Sequence, residues 1–184
     1  MEKVSVWQAE VVRSRTTSLL IGVVSFVAFT AFGAWVRIPI PGTPVPITLQ
    51  TMFVLLGGVI LGTYGAMAQL IYVILGMLGL PIFACSIGLL GPTGGYLIGF
   101  IVAALIVGTI VRTKDSFVWI IISMIIGTLI IYLFGVVQLG VFLGNFKNVI
   151  MLGILPFIPG DVLKLFIASI VYYKLKPRLV EIFR

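Results

Sequence analysis

The chain is a succession of long apolar runs separated by short breaks of glycine, proline or charge. A helix needs about 20 apolar residues to span a bilayer. The breaks divide the chain into runs at 17–36, 49–63, 65–80, 95–111, 117–137 and 159–175. This pattern predicts an all-α integral membrane protein: a compact bundle of six transmembrane helices forming a single membrane domain over 1–184. Residues 1–16 mix Lys3, Arg13 and Arg15 with Glu2 and Glu10. A signal peptide has a basic patch, an apolar core and a cleavage site instead. The segment is read as a cytoplasmic lead-in and the first apolar run as a retained span.

The breaks are uneven in kind. Pro39, Pro41, Pro44 and Pro46 rule out a helix after the first run and favour a stiff, extended connection. The isoleucine and valine among them are poorly suited to water, so the composition leaves two readings, a loop folded inward as a cap over a cavity and an ordinary rigid outer loop. Gly62-Thr63-Tyr64-Gly65 reads as a tight turn between two short helices. The glycine-punctuated stretch 82–93 leads into Gly91-Pro92-Thr93-Gly94-Gly95-Tyr96, where a backbone with few side chains can approach a ligand or a neighbouring helix.

Composition agrees with the pattern, at 61% hydrophobic and 9% charged, where a soluble domain carries roughly 25% charged residues. The net charge of +7 reports topology rather than nucleic-acid binding, because the basic residues sit at the ends of apolar runs. With six spans, Lys3, Arg13, Arg15, Arg112, Lys114, Lys174, Lys176, Arg178 and Arg184 fall on one side and Arg37 and Lys147 on the other. The positive-inside rule then predicts that both termini are cytoplasmic. Enzyme signals are scarce: there is no histidine, Cys85 is the single cysteine, and neither a phosphate loop nor a nucleophile elbow is present. No enzyme activity, metal or cofactor is expected.

One stretch departs from the apolar frame. Pro159-Gly160-Asp161-Val162-Leu163-Lys164 places one of only five acidic residues at the start of the last run, and an ionisable residue in a span is a functional-site candidate by default. Asp161 and Lys164 are three apart and share a helix face. The pair is net neutral, which suits an amide-like or urea-like ligand better than a bare anion. The alternative is a helix-starting aspartate neutralised by its own lysine. Further polar candidates are Thr48, Gln50, Thr51, Gln69, Tyr72, Thr93 and Tyr96, with Trp35 read as an apolar wall or an interfacial anchor. On the first span, Ser18, Gly22 and Ser25 form a close-packing face.

Four stretches together resemble the BioY family, the biotin-binding S components of energy-coupling factor (ECF) transporters. These are Pro44-Val-Pro-Ile-Thr-Leu-Gln-Thr51, Gly79-Leu-Pro-Ile-Phe-Ala84, Gly91-Pro-Thr-Gly-Gly-Tyr-Leu-Ile-Gly-Phe100 and Pro159-Gly-Asp-x-x-Lys164, in the family's order. The resemblance implies the six-helix S-component fold in a prokaryotic plasma membrane and a biotin pocket near the outer face. It also implies an ECF coupling transmembrane protein and two cytoplasmic ATPases as partners. On it, Asp161 and Lys164 are assigned to polar contacts with biotin, Asp161 accepting from a ureido N–H, and Lys164 reaching either the ureido oxygen or the carboxylate. Gln50, Tyr96, Gly91, Gly94 and Gly95 are assigned to pocket lining. Between Ala84 and Gly91 the chain is shorter and less glycine-rich than the family's pattern. The first span lacks an Ala-x-x-x-Ala coupling face, for which Ser18, Gly22 and Ser25, or Ala28 and Ala31, substitute. An S component for another vitamin and a self-sufficient secondary carrier are the competing readings.

Overall fold

In the computed structural model, residues 15–85, 87–114 and 116–183 are described, the last six of them by their backbone alone. Most of the expected lead-in, 1–16, thus lies outside the described residues. The apolar runs form helices α1 (Arg15–Trp35), α2 (Gln50–Leu61), α3 (Tyr64–Met77), α4 (Gly94–Thr113) and α5 (Phe117–Leu143). A one-turn helix α6 (Val149–Gly153) and the long α7 (Ile158–Phe183) complete the chain. By length and composition α1, α4 and α5 can cross a membrane, and α2 and α3 are shorter apolar helices of 12 and 14 residues.

The helix ends follow local chemistry. Ser116 caps α5 by accepting the Trp119 amide at 3.4 Å. α5 then runs six residues past 137, through Gly140, to Gly144, which ends the helix at φ 64° in the left-handed region. The proline-rich loop is extended as expected, and it also pairs with itself: β1 (Arg37–Ile38) runs antiparallel to β2 (Ile47–Thr48), with Arg37 opposite Thr48. Neither this ribbon nor α6 is legible in the sequence, because both are too short for a hydrophobic period to develop.

Small residues set how closely the helices pack. A Cβ on Gly65 would lie 2.6 Å from the Gly57 carbonyl oxygen, so α2 and α3 fold back as a hairpin with backbones in contact. Gly33 of α1 does the same for the first turn of α2, where a Cβ would come within 2.8 Å of the Gln50 amide nitrogen, and Leu49 N–H donates to Gly33 O at 3.1 Å. Along α4 and α5, Gly95 abuts Phe134, Gly99 abuts Ile131 and Val107 abuts Gly127, so the two helices run antiparallel. Val54, Ala103, Ala104, Met124, Ile131 and Leu139 are buried at the centre of the bundle, while Leu20, Val24, Leu129, Leu133 and Phe166 are exposed on its flanks. Apolar flanks around an apolar core are what a bilayer demands.

The two ends of the bundle differ. At one, Arg112 lies over the Tyr64 ring at 5.5 Å and Lys114 over Trp119 at 3.6 Å, beside the Gly62-Thr63 turn. The proline-rich loop, the segment 78–93 and the start of α7 gather at the other.

Candidate ligand-binding site

Asp161 sits in the first turn of α7, where the helix dipole favours a carboxylate, with its amide donating to Phe157 O at 2.8 Å. One turn on, Lys164 Nζ lies 2.5 Å from Asp161 Oδ1. Both residues are 7% exposed. They are therefore a buried pair rather than a surface one, and a buried pair needs further hydrogen bonds to offset desolvation. Thr51 of α2 supplies one link: its hydroxyl donates to Asp161 Oδ1 at 3.2 Å and accepts from Lys164 Nζ at 3.2 Å. Tyr132 of α5 supplies the other, its hydroxyl donating to Asp161 Oδ2 at 2.5 Å. Three helices thus converge on one carboxylate.

An ionised carboxylate has about four acceptor sites and an ammonium three donors. Among the hydrogen bonds of the described residues, Oδ1 accepts two, Oδ2 accepts one and Nζ donates two. One acceptor site on Oδ2 and one N–H on Nζ remain.

These groups line a cavity with about 550 Å³ of empty space, its mouth included. Leu97, Phe100, Ile131 and Phe157 form apolar walls, an arrangement usual for small-molecule sites. Val45 and Pro46 of the proline-rich loop, with Phe83 and Ala84, also line it. Residues 81–84 are tied down through three carbonyls: Trp35 Nε1 donates to Pro81 O at 3.2 Å, Tyr72 to Ile82 O at 2.8 Å and Arg37 to Ala84 O at 2.6 Å. Trp35 is 64% exposed and is no part of the cavity wall.

Of the residues singled out from sequence, Asp161, Lys164, Gln50 and Tyr96 all line the cavity, as do Thr48, Thr51 and Thr93. Gln50 Nε2 donates to Tyr72 at 2.7 Å, and Tyr96 donates to Gly153 O at 2.7 Å. Gln69 is buried deeper, donating to Thr30 at 3.2 Å. Gly91, Gly94 and Gly95 are not among the lining residues. The Gly91 carbonyl accepts from Gln138 at 3.0 Å, and a Cβ on Gly95 would meet Gln138 Cβ at 2.8 Å, so this turn packs against α5. On α1 the small residues divide. Ser18 and Gly22 are buried within the bundle, Ser25 and Ala31 are half-buried, and Ala28 is exposed.

Tyr132 was missed, along with Phe100, Ile131 and Phe157. A tyrosine amid uninterrupted aliphatic residues is the signal available, since a buried phenol needs a partner. Its partner is 29 residues away in sequence, a distance no spacing rule covers.

Comparison with known proteins shows the family. The BioY family model matches residues 5–181. The biotin transporter BioY of Thermotoga maritima is 42% identical over 161 residues, covering 85% of this chain and 94% of that one. The probable biotin transporter BioY of Pyrococcus horikoshii is 43% identical over 156 residues, covering 82% and 91%. The crystal structure of the S-component for biotin from an ECF-type ABC transporter has a similar fold, with a TM-score of 0.84 at 24% identity over 94% of this chain and 98% of that one. With a family match over nearly its whole length and relatives above 40% identity, the chain belongs to the BioY family.

Proposed function

We propose that this protein is the biotin-binding S component of an ECF-type importer and is not itself an enzyme. It captures biotin at the outer face of a prokaryotic plasma membrane, and partner ATPases supply the energy for release inside. The observation that carries this reading is the Asp161–Lys164 pair, closed by Thr51 and Tyr132 and left with one acceptor and one donor inside an apolar cavity. A ureido group presents an N–H and a C=O on one edge. In this reading the N–H donates to Asp161 Oδ2 and the oxygen accepts from Lys164 Nζ, while Gln50, Tyr96 and the aromatic walls hold the rest of the ligand. The relatives named as biotin transporters support the choice of ureide.

The same reading takes the chain as one membrane domain crossing six times, with both termini cytoplasmic. The cationic cluster of Arg112 and Lys114 at the end of the bundle away from the cavity supports it. An ECF coupling transmembrane protein and two cytoplasmic ATPases complete the transporter. With Ser18 and Gly22 buried, Ala28 is the most open of the proposed coupling residues.

Isothermal titration of the purified protein with biotin tests the reading. Heat that saturates at one ligand per chain is expected at micromolar protein, and none would favour a different vitamin in the same frame.

A further inference from the structure

Two cavities share Asp161 in their lining. One is the ligand cavity. The other is a groove with about 1100 Å³ of empty space, its mouth included, between α5 and α7, floored at one end by α6 and lined by aliphatic side chains such as Leu129, Leu133, Ile150, Ile158 and Val162. Among the described residues only Tyr132 and Asp161 line both. The groove opens between the exposed faces of α5 and α7, and α5 is apolar and long enough to span a membrane, so it faces hydrocarbon. Its other polar side chain, Thr128, already donates to Met124 O at 2.9 Å. On that side the Asp161 carboxylate has the Tyr132 hydroxyl as its neighbour of opposite hydrogen-bonding character.

We propose that Tyr132 is the partition and the positioning residue of the site: its ring separates the ligand cavity from the lipid-facing groove, and its hydroxyl fixes Oδ2 of Asp161 so that the remaining acceptor site points at the ligand. The physical need is plain. A carboxylate oxygen turned toward hydrocarbon without a donor is strongly disfavoured. Lys164 and Thr51 both bind Oδ1, so neither fixes Oδ2. Without the phenol, the carboxylate rotates about its own axis or draws the ammonium across, and the donor–acceptor spacing offered to the ligand is lost. The ligand half of this inference rests on the biotin reading; the partition half does not.

Two measurements on the full-length protein in lipid nanodiscs test it. The first is ligand-free. Dicyclohexylcarbodiimide, which is lipid-soluble, is applied to the natural protein, Tyr132→Phe and Tyr132→Ala, and adducts are mapped by peptide mass spectrometry with Asp161→Asn as blank. Modification of Asp161 at least several-fold faster in Tyr132→Ala than in the natural protein is expected, with a water-soluble carbodiimide showing a smaller difference. Equal rates with the lipid-soluble reagent would overturn the partition. The second is a biotin-binding cycle over Tyr132→Phe, Asp161→Asn and the double variant. Tyr132→Phe keeps the ring and should weaken binding about 10- to 100-fold, with no further loss when added to Asp161→Asn. Additive losses would make Tyr132 a packing residue and overturn the positioning role. If the natural protein takes no biotin, the ureide reading falls and the labelling comparison decides the partition alone. Should the alanine variant fail to fold, Tyr132→Leu takes its place in the labelling comparison, with the same result expected and equal rates again overturning the partition.

Discussion

Asp161 accepts from Thr51 on α2, Tyr132 on α5 and Lys164 on its own helix, and this sharing sets what its replacement should do. Asp161→Asn removes the charge that balances a buried ammonium, and breaking a buried pair costs about 3–5 kcal/mol. The single variant should therefore melt earlier as well as bind biotin more weakly. Asp161→Asn combined with Lys164→Met removes both charges, and it should regain most of the lost melting temperature while staying defective in binding. Thermal unfolding followed by tryptophan fluorescence, beside biotin titration, separates the two effects; a double variant that binds normally would show the pair to be structural. The pairing itself was legible, because an i, i+3 spacing on a helix fixes which side chains meet. That Thr51 and Tyr132 complete it was not, since their distances in sequence from Asp161, 110 and 29, carry no geometric meaning.

At the level of elements, the glycines do more than their sequence context promised. Gly91, Gly94 and Gly95 resemble a ligand-approach turn in sequence, but Gly94 and Gly95 bring α4 against α5, the Gly91 carbonyl accepts from Gln138, and Tyr96 is left to reach the cavity. Gly95→Leu should consequently destabilise the protein by about 1–3 kcal/mol through overpacking. Its folded fraction, isolated by size exclusion, should keep biotin affinity within a few-fold. A selective loss of affinity with an unchanged melting temperature would return the turn to the binding site. Helix positions followed from apolar runs, whereas α6 and the Arg37–Ile38 ribbon did not, being too short to show a period.

For the whole molecule, the asymmetry between a cationic end and a cavity end predicts orientation. Cys85, the single cysteine, lies half-buried in the segment at the cavity end. A membrane-impermeant maleimide should label it from outside intact cells, whereas a cysteine placed at Lys114 in a Cys85→Ser background should need permeabilised cells. The reverse labelling would invert the proposed topology. Proteoliposomes holding this chain alone should bind biotin without accumulating it, whatever ion gradient is imposed. Gradient-driven accumulation would make the protein a secondary carrier.

Sequence alone determined the membrane character, the approximate helices, the cluster of basic residues at one end and the Asp161–Lys164 pair. Each depends on composition or on spacing along one helix, and both are written in the order of residues. The tertiary structure decided that Tyr132 and Thr51 join the pair, that the Gly91–Gly95 turn packs rather than lines, and that Ser18 and Gly22 face inward. In an aliphatic helix nearly every face is apolar, so hydrophobicity does not say which face meets protein and which meets lipid. Close contact between small residues on different helices makes that choice, and it exists only once the helices are packed.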